Sequence, residues 1–284
     1  METIGGQAVI EGVLMKNGSK VAIAVRTPEG KITIKKESHT SLTKKYKRLN
    51  LPFIRGPIIL LETTILGIRA LNHSANMALE GEKEEKLGAG TLICTILFSL
   101  IFALALFKLF PLGVAQILSN FYPTLENRYL FNLIEGGVKI SILIGYLFLI
   151  SLMPDVRRTF QYHGAEHKVV NAYEKNDLKN AKKYSRIHLR CGTSFIIFVL
   201  AFSIIVYLFL PIDISFLNKY LLRLLLLPII AGIGYEIIRI SPKWEKNIFF
   251  KIIIFPGLLL QRLTTREPSQ EQIEVAKAAL YEVT

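Results

Sequence analysis

The sequence predicts a mainly α-helical, polytopic membrane protein, with about four transmembrane helices, interfacial helices and a small N-terminal β-hairpin. Three observations lead there. Of 284 residues, 51% are hydrophobic and the mean hydropathy is +0.39, more apolar than a soluble domain of this length. The apolar residues gather into runs long enough to cross a bilayer. The net charge of +13 lies in segments flanking those runs, as expected for an anionic membrane surface. No basic stripe is interleaved with aromatic residues, so the reading takes the lipid bilayer as partner and no nucleic acid.

The start, Met1 to Gln7, lacks the basic and apolar regions of a signal peptide. Residues 1–50 read as a cytoplasmic N-terminal segment. Within it, Lys20–Arg26 and Lys31–Lys35 flank the turn Thr27-Pro28-Glu29-Gly30, which predicts a β-hairpin. Gly5-Gly6 and Glu11-Gly12 read as tight turns. A lone hairpin is marginal in water, so this segment is expected to pack against the rest of the cytoplasmic region.

Residues 51–90 read as an amphipathic interfacial helix and a charged linker. Pro57 suits a first helical turn, and Arg55, Glu62, Arg69 and Asn76 form a polar stripe of period seven. Glu82–Lys86 is the linker. Residues 91–260 form the transmembrane domain, with spans at 91–112, 131–153, 195–211 and 221–239. The cytoplasmic loop 154–194 lies between the second and third. Residues 247–260 are interrupted by Lys251 and Pro256-Gly257 and read as interfacial or re-entrant. Residues 261–284 hold a cytoplasmic C-terminal helix opened by the capping-box pattern Ser269-Gln270-Glu271-Gln272.

Orientation follows from Lys and Arg. Residues 1–55 carry 11, 154–194 carry 9 and 239–284 carry 7, and Arg69, Lys83 and Lys86 lie on the same side. The opposite side carries only Arg128, Lys219 and Arg223. The positive-inside rule puts both termini and the 154–194 loop in the cytoplasm of a multi-pass protein of the cell (inner) membrane.

The chemistry gathers in that loop. His163-Gly164-Ala165-Glu166-His167 is an H-x-x-E-H pattern. On a helix the two imidazoles share a face one turn apart, so both can reach one metal ion. Glu166 is placed to act as general base on a metal-activated water. His188-Leu189-Arg190-Cys191 adds two donors at helical spacing. His163, His167, His188 and Cys191 together match a zinc site: all four would close a tetrahedral shell, and three would leave a position for water. The alternative is a set of interfacial polar residues bonded to headgroups, backbone or one another. Glu174 lies seven residues past His167, about 10 Å along a continuous helix, too far to share the shell. Glu236 is either a further ligand or a partner for Arg239, and the arginine pair is the preferred reading. Cys94 and Cys191 are too few for a disulfide framework.

Four ordered motifs carry a resemblance: Gly5-Gly6-Gln7-Ala8-Val9-Ile10-Glu11-Gly12-Val13-Leu14-Met15, Tyr162 to Lys168, His188 to Phe195, and Thr264-Thr265-Arg266-Glu267-Pro268. Together they resemble the YqhQ-like family, a bacterial group of membrane proteins described as predicted metal-dependent enzymes. The resemblance implies a membrane location and supports the His/Cys site. The expectation is therefore a metal-dependent membrane enzyme, a hydrolase acting on a lipid, a lipid-linked precursor or a membrane peptide. The rival is a non-catalytic scaffold or transporter subunit with a structural His/Cys cluster. Polar residues buried mid-span would favour a transporter, and the spans read as having few.

Overall fold

The computed structural model describes residues 4–78, 89–240, 244 and 247–284. The charged linker Glu82–Lys86 lies outside the described residues. The N-terminal segment holds more than a hairpin. Strands β1 (Gly5–Val9), β2 (Gly12–Asn17), β3 (Lys20–Arg26) and β4 (Ile32–Ser38) form one antiparallel sheet in that order. The expected hairpin is β3–β4, with Arg26 opposite Ile32. The residues read as turns around Gly5-Gly6 and Gly12 are instead strand, paired from Gly5–Lys16 to Val9–Gly12. Only Ile10-Glu11 turns, with Glu11 at φ 51.

Both faces of the inner strands are buried, which explains why they lack a polar alternation. One face presents Val13, Met15, Ala22 and Ala24, and the other Val9, Leu14, Val21, Ile23 and Val25. Burying each large apolar side chain contributes roughly 1.5–3 kcal/mol.

After the short helix α1 (Leu42–Lys45), helix α2 (Arg55–Ala78) covers the second face through Leu66 and Ala70. Its polar stripe is divided in purpose. Glu62 is buried and accepts from Ser41 Oγ and Leu42 N, both at 2.6 Å, while Arg69 stays exposed.

Helix α3 (Ala89–Leu104) runs through a π-helical turn at Ala105–Leu109 into α4 (Phe110–Phe121). The wider turn lets the helix continue past Pro111, whose ring cannot sit in a regular α ladder. The first apolar helix therefore extends to Phe121 instead of ending at 112. Helix α5 (Arg128–Ser151) is capped by the Asn127 side chain, which accepts from Tyr129 N and Leu130 N. Next comes α6 (Pro154–Glu174), with proline in its first turn. The expected loop 154–194 is thus largely helix.

Helix α7 (Gly192–Tyr207) is capped by Cys191. Helices α8 (Phe216–Leu225) and α9 (Leu227–Ile240) run on as one rod, Phe216–Ile240. Helix α10 (Ile248–Thr264) is continuous through Pro256, so the proline and Gly257 do not break the segment. Gly257 instead lets α10 lie against α7, since a Cβ there would come within 2.8 Å of Ser194. Helix α11 (Gln270–Tyr281) starts with the capping box between Ser269 and Gln272.

Among the described residues, three helices are long and apolar enough to cross a membrane: Leu97–Phe121, Arg128–Ser151 and Phe216–Ile240. The remaining expected span, 195–211, corresponds to α7, apolar but 16 residues long. Beside this bundle lies a polar layer in which α6 and α11 cover the first face of the sheet and α2 the second. Tyr162, Val169, Ile273 and Leu280 pack onto Val13 and Met15 there.

Candidate metal centre

Helix α6 brings His163 and His167 together one turn apart, with ring centroids 4.4 Å from each other. Cys191 reaches them because the chain returns from α6 and enters α7, where its thiol caps the helix and accepts from Thr193 N at 3.4 Å. The donor atoms of His163, His167 and Cys191 all lie within 4.8 Å of one another. Cys191 Sγ is 3.2 Å from His163 Nε2.

Backbone carbonyls hold both rings from behind. His163 Nδ1 is 2.8 Å from the Thr264 carbonyl oxygen, and His167 Nδ1 is 2.6 Å from that of Arg186. A carbonyl only accepts, so each Nδ1 carries a hydrogen, and in the neutral tautomer Nε2 is the nitrogen with a lone pair. Burial pushes the His167 imidazole below its ordinary value, against the opposing pull of Cys191, which keeps the ring neutral. A single thiol hydrogen serves only one of two lone pairs. A divalent cation would be served by both imidazoles and the thiolate, with the Nδ1–carbonyl bonds fixing ring orientation.

His188 lies beside this cluster. Its ring centroid is 5.7 Å from that of His167. Its Nδ1 accepts from Arg190 N at 3.4 Å, and its Nε2 is 3.6 Å from Glu174. Glu174 also pairs with Arg190, and its bond to His188 is the main influence holding its carboxyl below the usual range. His188 and Cys191 do not share a helix face, because α7 begins only at Gly192.

Glu166 is buried against β1. A Cβ on Gly6 would stand 2.9 Å from Glu166 Cγ, and the Gly6 N–H bonds its carboxylate. Burial pushes the Glu166 carboxyl up, opposed by His163, His188 and that N–H. A carboxyl tuned upward is better suited to taking up and returning a proton than an exposed one.

The scaffold explains the remaining motifs. Gln261 on α10 accepts from His188 N at 2.9 Å and donates to the His188 carbonyl and Ser194 Oγ, both at 2.8 Å. The next turn supplies Thr264, and Arg266 N donates to the Phe160 carbonyl at 2.8 Å. Gly164 makes room for the Arg266 carbonyl, as Gly67 does for the Gln7 side chain. Gln261 was invisible to the sequence reading because nothing marks a glutamine as a clamp until its partners are known.

Two other expectations change. Glu236 is held by Arg55, at 2.7 and 2.5 Å to its two oxygens, while Arg239 stands 3.9 Å away. A bidentate guanidinium pair is the stronger contact. The apolar helices also hold more buried polarity than expected. Glu135 and Lys139 form an ion pair, and Arg223 Nε donates to Glu135 at 2.8 Å. Arg223 also donates to Asn132 at 2.8 Å, and Lys108 Nζ to Tyr207 OH at 2.9 Å. These residues sit far apart in sequence, so the network formed only when the helices packed.

The fold and site define a class: a helical bundle bearing a polar sheet-and-helix layer with a His–His–Cys cluster. The chain belongs to the YqhQ-like family, since the family model described as "Protein of unknown function (DUF1385)" matches residues 51–284. It is 34% identical over 300 residues to "Uncharacterized protein YqhQ" of Bacillus subtilis (strain 168), covering 98% of this chain and 91% of that protein. No solved structure matches it.

Proposed function

We propose that the protein is an integral membrane metalloenzyme, a hydrolase with its centre at the cytoplasmic interface. His163, His167 and Cys191 are its ligands, and the donor set suits zinc. The carrying observation is the convergence of two carbonyl-anchored imidazoles on one thiol. A zinc ion held by these three donors would supply Lewis acidity to a water. Glu166, one residue before His167, is the group to accept a proton and return it to the leaving group.

Membrane insertion is supported by the large apolar side chains that the bundle turns outward, among them Phe98, Phe102, Phe121 and Leu225. Four crossings fit the packing better than three. The sheet, α6 and α11 share one layer, so the chain must return to that side. α7 joins the two ends: Ser194 meets Gln261 at one, and Tyr207 meets Lys108 and Arg223 at the other. The short α7, about 24 Å by helical rise, is thus the third crossing. The charge asymmetry then puts both termini and the centre in the cytoplasm.

Purified protein should carry about one metal per chain. His163→Ala or His167→Ala should lose it. Glu166→Gln should keep it yet fail to complement a deletion strain, because an amide cannot accept the proton. Full complementation by metal-free His167→Ala protein would end this reading. A second reading, a transporter subunit with a structural metal, is favoured by the buried Glu135–Arg223 network. It expects Glu166→Gln to be nearly silent.

A further inference from the structure

A cavity of about 820 Å³ opens between β1, β2, α1, α2 and the end of α9. Its lining includes five basic side chains and two acidic ones, Glu62 and Glu236. Both acids are already engaged, Glu236 by Arg55 and Glu62 by the α1 cap. Lys16 on β2 is half-buried, and its ammonium makes no hydrogen bond or ion pair among the described residues. Burial pushes its ammonium down, and Glu62 opposes this only through space. Arg239, 3.9 Å from a carboxylate that Arg55 already occupies, has capacity left for an anion.

The same lining carries apolar side chains, Ile59, Leu66, Ile238 and Ile240. Leu51, Phe53 and Ile54, just before the lining residue Arg55, and Leu61 and Ile65 on α2 stand exposed. Cationic and apolar side chains in one cavity match an amphiphile whose anionic head is joined to hydrocarbon. The cavity also adjoins the metal centre. Gly6, which lines it, lies directly on Glu166, and Arg190, also lining it, precedes Cys191. A second cavity, about 570 Å³ among Phe102, Leu106, Val114 and Phe216, has no charged lining to orient a ligand.

We propose that this cavity binds the phosphate-bearing headgroup of a membrane amphiphile, held by Lys16, Arg190 and Arg239. As the substrate of the hydrolase, that amphiphile rests on the reading above; as a bound ligand it does not.

The test is equilibrium binding to the purified full-length protein in uncharged detergent. Three probes are compared: dioctanoyl phosphatidic acid, dioctanoylglycerol and inorganic phosphate. Saturable binding of the phosphatidic acid is expected, with both other probes much weaker. Lys16→Gln combined with Arg239→Gln should weaken it roughly tenfold or more. Lys16→Arg with Arg239→Lys should retain it, separating charge from folding. Equal binding of the diacylglycerol, or no loss in the glutamine variant, would overturn the proposal. Inorganic phosphate binding as tightly as the lipid would overturn the amphiphile and leave a free-anion site. Glu166→Gln and metal-free His167→Ala proteins should bind the lipid as wild type does, so the cavity can stand even if the hydrolase reading fails.

Discussion

Cys191 Sγ lies 3.2 Å from His163 Nε2, and the far nitrogen of that ring is tied to the Thr264 carbonyl at 2.8 Å. If the thiol is a metal ligand, it should resist alkylation until the metal is removed. A chelator is expected to raise the Cys191 labelling rate several-fold in Cys94→Ala protein, with mass spectrometry as the readout. Cys191→Ser should bind the metal more weakly, because a hydroxyl is a poorer zinc ligand than a thiolate. Labelling at one rate with and without chelator would argue for an unliganded thiol.

Gln261 bonds three groups of the 188–194 segment. Gln261→Leu keeps the volume but leaves a buried N–H and a buried carbonyl unpartnered. A loss of about 1–3 kcal/mol in unfolding free energy is expected. Metal affinity should fall by roughly 10–100-fold, the usual effect of losing an outer partner that orients a ligand. Denaturant titration and metal competition measure the two effects separately. Unchanged metal affinity would show that Cys191 holds its place without the clamp.

Among the described residues, Glu135 is the one carboxylate paired with Lys139 and Arg223 in the buried network. Glu135→Gln leaves two buried cations without a counter-charge, a change worth about 3–5 kcal/mol. The thermal midpoint in detergent should fall accordingly. Glu135→Leu combined with Arg223→Met should recover part of the loss, since it removes both members of one pair. If the double variant is the less stable, the pair's mutual attraction outweighs its desolvation.

Lys179 and Glu126 are both exposed and belong to opposite ends of the bundle. In Cys94→Ala protein, Lys179→Cys should react with a membrane-impermeant thiol reagent only from the cytoplasmic side. Glu126→Cys should react only from outside. The reverse pattern would invert the topology, and labelling of both from one face would reduce the number of crossings.

Much of this protein was legible as one-dimensional pattern. Long apolar runs with charged flanks predicted the helices, because burying every backbone hydrogen bond within a segment leaves the helix as the solution. The H-x-x-E-H spacing placed His163 and His167 on one face, since helical periodicity is local. The N-terminal strands were harder. Val13–Met15 and Val21–Val25 carry no alternation because both faces of the sheet are covered, so their period conveys little. Which donors meet was decided only in three dimensions. His188 and Cys191 are three residues apart, yet Cys191 caps α7 with its thiol among the imidazoles, while the His188 ring, 5.7 Å from that of His167, directs its Nε2 toward Glu174. Gln261, Thr264 and the Arg55–Glu236 pair likewise depend on contacts between residues 73 to 181 positions apart. Sequence determined the apolar helices and the candidate donor residues, because both follow from short-range geometry. Tertiary packing decided the shell, the clamp and the cavity, because each is assembled from segments that meet only when the helices and sheet close on one another.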